Sequence, residues 1–135
     1  MENDPLTGVR LLVVEDDDDT RHVIVKMLEV AGASVAAAAS AADALRLLDV
    51  FQPDALVSDI NMPGRDGLWL VRELRSRHEH RFLPAVAVTA RVGPDHRRFI
   101  LAAGFQAHVP KPVDFDELIE VIRRLVAGSR SAAQC

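Results

Sequence analysis

Three short, uninterrupted apolar runs, Leu11-Leu12-Val13-Val14, Ala55-Leu56-Val57 and Ala85-Val86-Ala87-Val88, set the strongest limit on how this chain folds. Runs this short, without polar alternation, suit strands covered on both faces, as in a parallel sheet flanked by helices. Val35–Ala38 and Ala107–Val109 are weaker candidates of the same kind. Between them the apolar period changes. Val23, Ile24, Met27, Leu28 and Ala31 share a helical face, as do Phe115, Leu118, Ile119, Ile122 and Leu125.

Local stop and start signals fall at the same junctions. Ser40 is placed to cap the helix containing Leu45 and Leu48, Gly93-Pro94 puts proline at a first helical position, and Asp114-x-x-Glu117 is a capping-box pattern. Gly32, Gly104 and Gly128 stand where glycines end helices. Five strand–helix units with short connections predict an α/β fold with an open, doubly wound parallel sheet. One domain is expected over residues 9–127, with a loose N-terminal extension at 1–8 and a loose tail at 128–135.

Composition removes several alternatives. With 49% hydrophobic and 27% charged residues in 135, the chain reads as one ordinary globular domain, large enough to hold a core without staples. No apolar run approaches a membrane span, Met1–Gly8 has no signal-peptide character, and the single cysteine, Cys135, forms no internal disulfide framework. A cytoplasmic protein without membrane insertion is the expectation. A net charge of −4 argues against direct nucleic-acid binding. Charge is unevenly placed, with five consecutive acids at Glu15–Asp19 and arginine and histidine concentrated between Arg65 and Arg98.

In open α/β sheets the ligand crevice lies beyond the carboxyl ends of the strands. Here the first run ends in Glu15-Asp16, the third is followed by Asp59, the fourth ends at Thr89, and Lys111 closely follows the fifth. Converging carboxylates repel each other by on the order of 4 kcal/mol per pair at 4 Å and an effective dielectric of about 20. A cation must offset this. Hard oxygen ligands select Mg²⁺, which keeps several waters and meets substrate phosphate. Asp59 then becomes a candidate nucleophile forming an aspartyl phosphate, with Mg²⁺, Thr89 and Lys111 facing the phosphoryl oxygens. Taken singly, Asp16 or Asp17 could instead cap a helix, and Lys111 could be a surface lysine.

The stretches Val13-Val14-Glu15-Asp16-Asp17, Ser58-Asp59-Ile60-Asn61-Met62-Pro63-Gly64-Arg65-Asp66-Gly67, Val88-Thr89-Ala90 and Pro110-Lys111-Pro112 together resemble the receiver domain of two-component response regulators. The resemblance implies a flavodoxin-like (βα)5 fold with strand order 2-1-3-4-5. It also implies Asp59 as the phosphorylation site and Glu15, Asp16, Asp59 and the Asn61 backbone carbonyl as Mg²⁺ ligands. Thr89 and Lys111 would contact the phosphoryl group, Gly67 would open the third helix, and the Lys111-Pro112 bond is often cis. Such a domain is a phosphoryl-accepting signalling module rather than an ordinary enzyme. Its donor would be a histidine kinase or histidine phosphotransfer protein.

Where receivers often carry Tyr or Phe three residues before the lysine, this chain has His108, which would serve as the switch ring. Arg91, two residues past Thr89, would tune the lifetime of the acyl phosphate. With no effector sequence after Gly128, output is expected through Gly93–Ala103, the strand at Ala107–Val109 and Asp114–Ala127, the α4-β5-α5 face of the family. Both a free-standing regulator and a hybrid-kinase receiver fit, and the run from Ala103 to Asp114 resembles the latter.

Other readings fare worse. A haloacid-dehalogenase phosphatase would need a second Asp where Asn61 stands. A calcium loop would need a glycine within the acidic run, and a flavodoxin would need a Ser/Thr-rich phosphate loop. A docking module with this fold but no phosphorylation is the remaining alternative.

Overall fold

The computed structural model describes residues 4–90 and 93–134. Five strands, β1 (Arg10–Val14), β2 (Ser34–Ala38), β3 (Ala55–Asp59), β4 (Ala85–Thr89) and β5 (Ala107–Pro110), form one sheet in the order β2-β1-β3-β4-β5. All four pairings are parallel. The helices are α1 (Asp18–Val30), α2 (Ala41–Phe51), α3 (Gly67–Ser76), α4 (Pro94–Ala103) and α5 (Phe115–Gln134), with a short 3₁₀ turn at His78–His80. This is the flavodoxin-like architecture expected.

The uninterrupted apolar runs are explained by the two layers they feed. On β1, Leu12 and Val14 join a core beneath α2, α3 and α4, whereas Leu11 and Val13 join a second core beneath α1 and α5. Ala85 and Ala87 on β4 likewise face the first core, and Val86 and Val88 the second. Both faces of each central strand are buried, so alternation is lost from the sequence. Each fully buried Leu or Val side chain contributes roughly 1.5–3 kcal/mol relative to exposure.

The caps form as expected. Ser40 Oγ accepts from Asp43 N, Pro94 opens α4, and Asp114 Oδ1 accepts from Glu117 N. Gly32 and Gly104 lie at the ends of α1 and α4.

Three local expectations are corrected. Gly128 does not end a helix, because α5 continues to Gln134. The termini are not loose where described: Leu6 is fully buried and its N–H donates to Ala31 O. Arg130 then joins the two ends by donating to Gly8 O and Asp54 Oδ2. On α1, Ile24 and Leu28 are buried, but Val23 and Met27 are 49% and 37% exposed, so the apolar stripe is wider than the core beneath it.

An acidic rim at the strand ends

Strand register assembles the site. Val14 lies opposite Ser58, Asp59 opposite Val88, and Thr89 opposite Pro110, so the residues that end or follow β1, β3, β4 and β5 meet along one edge. Glu15, Asp59 and Thr89 are buried polar groups at 1%, 6% and 0% exposure. Carboxylate oxygens of Glu15, Asp16 and Asp59 lie within 4.8 Å of one another. Lys111 Nζ donates to Glu15 Oε1 at 2.9 Å and stands 3.4 Å from Asp59 Oδ2.

Backbone contacts fix these groups. Asp59 Oδ1 accepts from Asn61 N at 3.3 Å, Glu15 Oε2 accepts from Asp17 N at 3.2 Å, and the Lys111 amide donates to Thr89 O at 2.8 Å. The Lys111-Pro112 bond is cis, as the resemblance implied. Gly67 begins α3 directly against the strand end. A Cβ there would stand 2.3 Å from Asp59 O and 2.9 Å from Ile60 Cα, so no other residue fits without moving the backbone of Asp59.

The acidic run of the sequence divides by role. Asp17 caps α1, accepting from Thr20 N and Thr20 Oγ1, and these bonds hold its carboxyl below the usual range. Asp16 instead joins the rim. Its pKa is raised, first by desolvation and then by hydrogen bonding with Glu15. Burial pulls the Lys111 ammonium down, but the hydrogen bond with Glu15 and the charge of Asp59 outweigh this and raise it.

Three ionised carboxylates against one ammonium leave a formal charge of −2, which matches a divalent cation. The donors are all oxygen, the chemistry Mg²⁺ prefers. Glu15, Asp16 and Asp59 therefore fit the metal expected from the sequence.

Two supports were missed in the sequence. Arg21 NH1 donates to Glu15 O at 3.0 Å from α1, and Ser58 Oγ donates to Asp59 O at 2.8 Å. Ser58 could have been suspected, since a hydroxyl inside an apolar strand requires a nearby partner. His108 is half-buried on edge strand β5, opposite Ala87, in a groove of about 550 Å³ bordered by Gly93, Pro94, Arg97 and Leu101. Arg91 lies outside the described residues. Trp69 packs against the first core and stacks with Arg65, whose guanidinium carbon is 4.4 Å from the ring centroid.

Residues 11–123 match the response regulator receiver domain family. An uncharacterised 14.6 kDa protein of Leptolyngbya boryana is 41% identical over 119 residues, covering 88% of this chain and 91% of that one. Response regulator MprA of Mycobacterium bovis is 39% identical over 123 residues; the match covers 91% of this chain but only 53% of MprA, so the chain spans about half its length. Among solved structures, the receiver domain of sensor histidine kinase PA1611 from Pseudomonas aeruginosa superposes with a TM-score of 0.82 at 30% identity. That match covers 90% of this chain and 99% of the other, whose active-site cleft coordinates a magnesium ion. Among the described residues no helix is long and apolar enough to cross a membrane. A parallel sheet in the order 2-1-3-4-5, an acidic rim at its carboxyl edge and a family match over residues 11–123 agree: the chain belongs to the response regulator receiver domains of two-component systems.

Proposed function

We propose that this domain takes a phosphoryl group from a phosphohistidine of a histidine kinase or phosphotransfer protein onto Asp59. The observation that carries this reading is the Asp59 carboxylate, buried yet grouped with Glu15 and Asp16 and facing Lys111 Nζ at 3.4 Å. An Asp59 oxygen attacks phosphorus, a P–O bond forms, and the P–N bond to the donor imidazole breaks with its electron pair left on nitrogen. Lys111 holds positive charge beside the developing phosphoryl oxygens, and Thr89 supplies a hydroxyl from the end of β4. Glu15, Asp16, Asp59 and the Asn61 carbonyl would hold Mg²⁺, which supplies charge neutralisation between carboxylates and phosphate.

The donor's docking surface adjoins the rim. A largely apolar groove of about 400 Å³ is lined by Thr20, Val23, Ile24, Pro112 and Phe115, with Lys111 at its edge. The exposed residues Val23, Met27 and Val30 extend it along α1 and suit the apolar face of a helical partner that carries the histidine. Output leaves through the face of α4, β5 and α5 toward a downstream protein. His108 acts as the switch ring there and Arg91 tunes hydrolysis. Loss of the phosphoryl-dependent change in His108 NMR signals, or an unaltered acyl-phosphate lifetime in Arg91→Ala, would remove the respective role.

Mass spectrometry after incubation with Mg²⁺ and a small phosphodonor tests acceptance. Wild type gains one phosphate and Asp59→Asn gains none. If neither protein gains a phosphate, or both do, Asp59 is not the acceptor and the phosphorylation-independent docking module becomes the better reading.

A further inference from the structure

A second metal-ligand set lies at the opposite end of the sheet, near the amino ends of β3 and β4. Asp49 comes from the last turn of α2, and Glu79 and His80 from the 3₁₀ turn between α3 and β4. One ligand atom from each lies within 4.8 Å of the others. His80 Nε2 is 3.3 Å from Asp49 Oδ1, and the His80 side chain is only 12% exposed. The turn is held in place from behind. Arg75 NH1 donates to His80 O at 3.1 Å, while its other guanidinium nitrogens bind Gly104 O.

Nothing intrinsic to the helix favours this arrangement. Asp49 places a negative charge at the carboxyl end of α2, the wrong end for the helix dipole, and that last turn has no basic residue. Among the described residues no lysine or arginine nitrogen pairs with either Asp49 or Glu79. Two carboxylates and a neutral imidazole carry −2. At 3.3 Å His80 Nε2 and Asp49 Oδ1 are hydrogen-bonded to each other, a bond that a cation would replace. A tetrahedron with bonds of about 2.0–2.1 Å, the lengths of Zn–N and Zn–O bonds, accommodates the same separation. An imidazole in the set favours a transition-metal dication over Mg²⁺, in contrast to the all-oxygen rim.

We infer that Asp49, Glu79 and His80 form a second cation site, taking a first-row dication of the Zn²⁺ type with water in the remaining position. The bound ion ties the connection between α3 and β4 to the end of α2, far from Asp59.

The test is a Zn²⁺ titration of the full chain carrying Asp59→Asn, which weakens the rim as a competing site, read by calorimetry and histidine NMR. Binding of about one equivalent with movement of the His80 ring signals is expected. Asp49→Asn and His80→Gln should each weaken it by at least roughly tenfold, since even supporting residues around a metal cost about 10–100-fold. Asp49 is exposed, so its variant keeps the fold. Unmoved His80 signals at one equivalent, or unchanged affinity in Asp49→Asn, would overturn the site.

Discussion

Helices α3 and α4 are each ten residues long and pack side by side on the same core, yet they are held very differently. In α3, Gly67, Leu70, Val71 and Leu74 are buried from the first turn onward, and Asp66 Oδ1 caps the helix by accepting from Trp69 N. In α4 only Ile100 and Ala103, both near its end, are buried; Gly93 gives no side-chain cap, and Phe99 is 64% exposed. The better-held helix is the one that touches Asp59 through Gly67. The lightly held one follows Thr89 and borders His108. Burial and capping are thus concentrated in the helix beside Asp59, and the lightly held helix lies on the face proposed above to change.

Truncation of one large side chain in each helix should show the difference most strongly. Leu70→Ala is expected to cost ~2–5 kcal/mol, as for a fully buried leucine. Phe99→Ala, removing a larger side chain from α4, should stay within about 0.5 kcal/mol. Urea unfolding of both variants checks this, and equal losses would erase the contrast. Next comes Gly67→Ala, whose Cβ has no room beside Asp59 O. A loss of ~1–3 kcal/mol is expected from overpacking. Because the clash falls on the backbone of Asp59, the rate of phosphate gain should fall too, whereas Phe99→Ala should leave it unchanged.

Removing the α3 cap sharpens the comparison further. Asp66→Ala should lose ~1 kcal/mol, bringing the start of α3 toward the uncapped condition of α4. Faster amide exchange confined to the first turn of α3 would be the direct sign. If exchange stays unchanged, burial rather than capping sets the difference between the two helices.

These contrasts were only partly legible in the sequence. The strands and the rim residues Glu15, Asp16, Asp59, Thr89 and Lys111 could be located because they depend on local runs and on strand ends. The strand order came only from the family resemblance, local alternation being compatible with other doubly wound orders. The exposure of Val23 and Met27 could not, because a helical period shows that residues share a stripe but not how wide the sheet beneath it is. Gly128 misled because glycine only permits a helix end. The Arg75 clasp on Gly104 O spans 29 residues and leaves no local pattern. Its burial lowers the guanidinium pKa, yet arginine keeps its charge.

The smallest expected effect separates burial from surface charge on the neighbouring α5. Glu120 accepts from Arg123 NH2 at 2.6 Å and Arg124 Nε at 2.9 Å on the solvent side, and these bonds hold its carboxyl at about 2 while raising Arg123. Because the folded pKa lies below the ordinary 4.5, the pair's contribution is fully present above that value and is lost as pH falls through about 2. The Tm difference between wild type and Glu120→Gln should therefore be small at neutral pH, shrink between about 4.5 and about 2, and fall further in high salt. A large, salt-insensitive difference would mean that surface charge on α5 stabilises this side of the domain as strongly as the buried residues of α3 stabilise theirs, and the division between held and lightly held elements would have to be redrawn.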